Sequence, residues 1–307
     1  MITVLSGGTG TPKLLMGMQR VKGKSEISII ANTGEDLEQS GVFMSPDVDS
    51  VVYALAGIID KEKWYGIGGD SFKTYEALLR LGHRELLRMG DMDRATKILR
   101  TIMLRSGSTL SEATEAICQS LGVNEPVFPM TDDRVTTTLL TEQGPMAFHD
   151  YWVRDRAEHV VGDVIYKGSE SASIPKRAAD VLARSDAVVI GPSNPITSIM
   201  PILSIREIRK ACKEKRVIAV SPIIARSAFS GPAGKLMRDM GYEVSPAGVA
   251  DAYQGLLDAM VIDRSDAGFE KGLREKGIDV VMANITMENL NKSKALGKDI
   301  FEYLVIQ

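Results

Sequence analysis

The residues best suited to chemistry stand at the very start of the chain. Ser6-Gly7-Gly8-Thr9-Gly10-Thr11-Pro12-Lys13 follows the apolar run Ile2, Val4, Leu5 and precedes the apolar positions Leu14, Leu15 and Met18. A strand, a glycine turn and a helix in succession make a phosphate cradle. Gly8 and Gly10 let the backbone approach an anion, and the helix start offers free N–H groups and a positive dipole end. Thr9 and Thr11 add hydroxyls, Lys13 adds a fixed charge, and Pro12 suits a first helical position. The alternative is a turn that only joins strand to helix. The dinucleotide fingerprint G-x-G-x-x-G fails at its third glycine, where Lys13 stands, and no acid ends the next strand. The pattern therefore argues against a nicotinamide or flavin dinucleotide site, and there is no Walker A motif.

Two further small-residue turns follow apolar strands. Gly191-Pro192-Ser193-Asn194-Pro195 comes after Ala187–Ile190, and Ser221-Pro222 after Val217–Val220. A third stretch, Ser230-Gly231-Pro232-Ala233-Gly234-Lys235, opens a helix but lacks P-loop spacing. Gly191, Ser193, Asn194, Ser230 and Gly231 thus join Gly8, Thr9, Gly10 and Lys13 as candidates for binding a nucleotide phosphate, with Lys235 a weaker one. Acids cluster in Asn32-Thr33-Gly34-Glu35-Asp36, just past a strand, and in Ser45-Pro46-Asp47-Val48-Asp49-Ser50. Asp47 and Asp49 suit a metal or a substrate hydroxyl; equally, Asp49 or Ser50 could cap a helix over residues 51–59. Asp132-Asp133 suits a metal, or a turn bonded to its own backbone.

The elements that must position these residues alternate as βα units, which imply a doubly wound, mostly parallel, Rossmann-like sheet. Ligands bind such sheets beyond the carboxyl ends of the strands. Residues 60–123 keep helical spacing with no strand, so they read as a helical insertion over that edge, with charges such as Arg84, Arg88, Asp91, Asp93, Arg94 and Lys97 mostly on a solvated face and one or two of them free to turn inward toward an anionic ligand. Residues 135–153 read as a β-hairpin around Gly144-Pro145. No linker divides the chain, so 1–307 reads as one α/β domain.

Composition narrows the partners. The 307 residues are 44% hydrophobic and 25% charged, as in ordinary globular proteins. A formal net charge of -3 gives no footing for nucleic acid or a membrane surface. Cys118 and Cys212 stand far apart and read as inert core thiols, and the three histidines show no zinc spacing. No transmembrane or signal segment is evident, so a cytoplasmic location is the expectation.

Several stretches together resemble the 2-phospho-L-lactate transferase family. They are Leu5 to Leu15, Ala31 to Asp36, Ser45 to Ser50, Trp64 to Ile67, Gly69 to Phe72, Gly90-Asp91 with Asp93 to Thr96, Gly191 to Ile199, Val220 to Ile224 and Ser230 to Met237. The resemblance implies magnesium-dependent phosphoryl chemistry in coenzyme F(420) biosynthesis. The ribityl hydroxyl of 7,8-didemethyl-8-hydroxy-5-deazariboflavin takes a 2-phospholactyl group from a guanosine diphosphate-linked donor, and GMP leaves. Some relatives use a phosphoenolpyruvyl donor. The resemblance also implies a homodimer and places Asp49 in the deazaflavin-contacting motif, at the ribityl hydroxyls or as the base. A second deazaflavin contact, a lysine in the family, aligns with Arg88, which keeps the charge but not a transferable proton. Magnesium would bridge the diphosphate with few protein ligands, Asp47 and Asp49 being candidates. The competing expectation is a non-catalytic nucleotide-sugar sensor on the same scaffold.

Overall fold

Runs of aliphatic residues with no polar face form strands that must be covered on both sides. Such strands form the middle of the seven-stranded central sheet of the computed structural model, which describes residues 1–21, 26–229 and 231–306. The seven are β1 (Ile2–Ser6), β2 (Ile27–Ala31), β3 (Val127–Pro129), β4 (Ala187–Ile190), β5 (Arg216–Val220), β6 (Ala259–Asp263) and β7 (Asp279–Ala283). All pairings between neighbours are parallel, in the order β7-β6-β5-β4-β1-β2-β3. The chain winds outward through β2 and β3, then returns to the other side of β1 and winds outward again. Its topological switch point lies between β1 and β4, where Ile2 pairs with both Ile27 and Ala187. A crevice opens beyond the strand ends at that point. Alternate strand residues feed two cores. Leu5, Ile30, Val188 and Ile190 face one, and Val4, Ile29, Ala31 and Val189 face the other. The Rossmann-like, doubly wound reading therefore holds.

Between β2 and β3 lie the helices α2 (Pro46–Leu55), α3 (Lys73–Arg80), α4 (Asp91–Arg105) and α5 (Leu110–Ser120), after α1 (Gly10–Met18) has followed β1. The helical insertion is thus present, but its facing differs from expectation. On α4 the charged Asp93, Arg94, Lys97 and Arg100 are buried, while Met92, Ile98 and Ile102 are exposed. The insertion docks through charge pairs rather than through its apolar stripe. Helix α2 begins at Pro46, not near residue 51, because Pro46 is pre-set for a first helical position. Asp47 and Asp49 therefore lie inside the first turn and cap nothing. Pro12 likewise sits third in α1, which starts at Gly10.

The expected hairpin is one part of a three-stranded antiparallel sheet. Thr136–Thr141 pairs with Gly144–Ala147 and with Val161–Lys167. The second strand stops at Ala147, and Asp150–Arg154 coils into a π-helical turn. Strand β3 was not expected. It is only three residues long and ends in proline, as suits a sheet edge.

Candidate functional site

The crevice is a cavity of about 570 Å³, floored by Gly8, Thr9 and Gly10 with Ser193, Asn194 and Gly231. Two of these glycines are required by close approach. A β-carbon on Gly8 would run into the Asp47 carboxylate, and one on Gly10 into the Pro192 carbonyl. Ser193 ties the first turn to the turn after β4. Its Oγ lies 2.7 Å from Thr11 Oγ1 and accepts the N–H groups of Gly7 at 3.2 Å and Thr11 at 3.4 Å. Asn194 Oδ1 accepts from the Ile196 N–H at 3.0 Å, capping the π-helical turn Pro195–Ile199. Thr197 and Ser198 of that turn also line the cavity. Four sequence candidates are placed elsewhere or not described. Lys13 extends away, its ammonium 4.8 Å from the Trp64 ring centroid, because the first turn of α1 points it outward. Gly191 packs against Thr11 and does not line the cavity. Ser230 lies outside the described residues. Lys235 is spent on Asp239 and on the His159 carbonyl at 2.6 Å.

The acids of the two expected motifs do converge. Asp47 and Asp49 come from α2 and Glu35 from the loop after β2, and all three line the cavity. Asp47 Oδ2 accepts from Asn32 Nδ2 at 2.9 Å, and Asp47 also accepts the Gly8 N–H. Burial outweighs those bonds and pushes its carboxyl up to about 7. Glu35 is raised as well, by burial and then by the nearby Asp47 charge, and its Oε1 is buried without a hydrogen-bond partner. Asp49 differs. Arg100 Nη2 bonds its Oδ1, Arg100 Nη1 lies 3.2 Å from Oδ2, and Lys97 Nζ lies 2.9 Å from Oδ2. Burial acts to raise the Asp49 carboxyl, but the charges of Arg100 and Lys97 overcome it and hold the group below its usual range. Asp132 and Asp133 lie outside this cavity and tie loops, accepting from the Ser111 and Ser173 N–H groups.

The opposite wall is apolar and aromatic. Leu86 and Leu87 come from the helical insertion, and Phe148, Trp152 and Val153 from the segment between Gly144–Ala147 and Val161–Lys167 of the small sheet. His149 sits among them with Nε2 2.9 Å from the Glu35 carbonyl oxygen. Burial lowers its pKa, so a neutral ring donates there. Arg88 lines the cavity with its guanidinium stacked 3.9 Å from the Phe72 ring centroid. A planar cation can stack in this way while presenting its edge to a ligand. Sequence reasoning put the Glu35 loop at the ligand-binding edge but assigned no role to Glu35, Lys63, Lys97, Arg100 or the Phe148–Trp152 wall. For Lys97 and Arg100 the only signal was their i,i+3 spacing on a helix, which a solvated face also produces.

The family model described as "2-phospho-L-lactate transferase CofD" matches residues 2–300. Curated proteins named 2-phospho-L-lactate transferase are similar along nearly their whole length. That of Methanocaldococcus jannaschii is 46% identical over 306 residues, covering 98% of this chain and 97% of its own. That of Methanopyrus kandleri is 48% identical over 303 residues, covering 97% and 96%. A crystal structure of a UPF0052 family protein from Bacillus halodurans superposes with a TM-score of 0.67 at 17% identity, covering 97% of both chains, a likeness of fold. With a continuous match from the first strand to the last helix, the chain belongs to the 2-phospho-L-lactate transferase family.

Proposed function

We propose that this chain is a 2-phospho-L-lactate transferase that moves a 2-phospholactyl group from a guanosine diphosphate-linked donor to the ribityl hydroxyl of a deazaflavin alcohol in coenzyme F(420) biosynthesis. The observation that carries the reading is a single cavity with a glycine-turn floor on one side and an aromatic wall on the other. The ribityl oxygen forms a bond to phosphorus, the diphosphate P–O bond breaks, GMP leaves, and the hydroxyl proton is released. Such displacement needs positioning and charge neutralisation more than covalent help. Thr9, Gly10, Asn194 and Gly231 hold the diphosphate in this reading. Phe148 and Trp152 take the flat ring system, Arg88 pairs with its polar edge, and Asp49 accepts from a ribityl hydroxyl. A phosphoenolpyruvyl donor fits the same floor. The working form in this reading is a cytoplasmic homodimer. No helix among the described residues is long and apolar enough to cross a membrane.

Magnesium belongs to the same reading. Among the described residues no group of three or more His, Cys, Asp or Glu is arranged to hold a metal. The cavity instead offers two crowded carboxylates, Glu35 with its unpartnered Oε1 and Asp47, and these suit a cation shared with a diphosphate. Glu35 and Asp47 would hold it, and it would supply neutralisation of the diphosphate charge. Asp49, with both oxygens on cations, has less to offer a metal.

The test is product analysis. Purified protein incubated with the deazaflavin alcohol, the lactyl donor and magnesium should release GMP in step with phospholactylated deazaflavin. Stabilisation by uridine-diphosphate sugars alone, with no GMP formed, would overturn the reading in favour of a sensor.

A further inference from the structure

The inner face of α4 is charged where packing alone calls for apolar residues. Arg100 is 0% exposed, and its guanidinium spans both oxygens of Asp49. Lys97, one turn earlier, bonds Asp49 Oδ2 at 2.9 Å and also pairs with Asp93. Asp93 in turn accepts from the buried Tyr53 hydroxyl at 2.8 Å. Taking such ions out of water is costly, and apolar residues of similar volume often dock a helix as well or better. Helix α4 has those residues and turns them outward, with Met92 at 60% and Ile102 at 57% exposure. Docking is therefore not the whole account of these cations. The carboxylate they hold is one that lines the cavity.

A carboxylate offers about four acceptor sites. Arg100 and Lys97 fill both sites on Oδ2 and one on Oδ1, which leaves one on Oδ1. We infer that Arg100, assisted by Lys97, is a positioning residue for the acceptor alcohol: it fixes the Asp49 carboxylate so that one acceptor site faces a single substrate hydroxyl, and it ties that anchor to helix α4. This rests on the deazaflavin-alcohol reading above. Arg100 touches no substrate; it acts through Asp49. Lysine in its place keeps the charge but loses the two-pronged grip that sets the carboxylate plane.

The experiment measures binding of the deazaflavin alcohol by quenching of its fluorescence, together with KM and kcat, for wild type, Arg100→Lys, Asp49→Asn and the double variant Asp49→Asn/Arg100→Met. Arg100→Lys should weaken the alcohol about tenfold or more in Kd and KM, a loss typical of a displaced positioning group. Its affinity for guanosine diphosphate should stay at the wild-type value. The double variant removes both charges of the Arg100–Asp49 pair and leaves Lys97 on Asp93, so it strands no carboxylate, and it should bind the alcohol no worse than Asp49→Asn. Unchanged alcohol binding by Arg100→Lys with a lowered Tm would overturn the inference, as would an additive loss in the double variant. If wild type binds no deazaflavin alcohol, the substrate reading itself fails. If wild type binds it and Arg100→Lys binds it equally, only the positioning role fails.

Discussion

At the scale of single residues, Asp47 and Asp49 are two positions apart on one helix turn and live in opposite environments. Asp49 faces two cations; Asp47 faces an amide, a backbone N–H and the acid Glu35. The D-x-D pattern made both visible in the sequence. It could not say which acid would be paired, because the pairing cations stand about fifty positions away on a helix of unknown facing. The consequence is measurable. Asp47 titrates near 7 in the fold, against a reference value of 3.8. Between those values the folded protein holds a proton that the unfolded chain has lost, so this group's contribution to stability falls as pH rises toward 7. In magnesium-free buffer, wild type should gain on Asp47→Asn by several degrees of Tm as pH drops from 8 to 5, at about 2–4 °C per kcal/mol for a large domain. Comparing the two proteins cancels the opposing effect of His149, whose lowered pKa costs stability as pH falls. Scanning calorimetry at several pH values would show it. A Tm difference that does not move with pH would mean that Asp47 is ionised throughout.

At the scale of elements, legibility followed burial type. The strands β1, β2, β4 and β5 were plain because unbroken aliphatic runs have no other stable home, and their turns were plain because small or turn-forming residues follow at once, Gly7 and Gly191 after β1 and β4, Asn32-Thr33-Gly34 after β2 and Ser221-Pro222 after β5. Strand β3 was not, since Val127–Pro129 is too short to show a period. For α4 the period was readable but the facing was inverted. Hydrophobic spacing assumes that the apolar stripe faces the core, and here buried ion pairs with Asp49 and Glu85 override it. Opposite substitution costs follow on the two faces. Ile102→Lys on the exposed face should change unfolding free energy by no more than about 0.5 kcal/mol, as surface changes do. Arg100→Met should cost about 3 kcal/mol, because it takes from the buried Asp49 carboxylate its two-pronged partner and leaves it Lys97 alone of the two cations. Urea denaturation of both variants checks the contrast. A severe loss for Ile102→Lys with a mild one for Arg100→Met would mean that α4 docks by its apolar stripe after all.

At the scale of the whole molecule, the cavity is built from parts that the chain brings together from far apart. Turns after β1 and β4 supply the floor, α2 and the loop after β2 the acids, and two insertions the walls. Sequence patterns gave the sheet and the rule that its carboxyl edge binds ligands. They could not give the aromatic wall, because Phe148 and Trp152 fall in a segment read as plain β-hairpin. These parts differ in how firmly they are held. Strands β1 and β4 are buried throughout, whereas α3 has no buried side chain at all. Local opening is therefore concentrated in α3, where few contacts resist it. Phe72, next to the start of α3, carries the stacked Arg88 guanidinium, and Tyr75 within α3 lies 5.5 Å from it. A ligand that engages Arg88, Leu86 and Leu87 must restrain α3 through that stack. Hydrogen exchange should accordingly slow in Lys73–Arg80 on adding the deazaflavin alcohol, by about tenfold or more at saturating ligand, while the amides of β1 and β4 stay unchanged. Guanosine diphosphate alone, bound at the floor, should leave α3 as it was. Protection of α3 by the nucleotide and not by the alcohol would place the acceptor somewhere other than beneath the helical insertion.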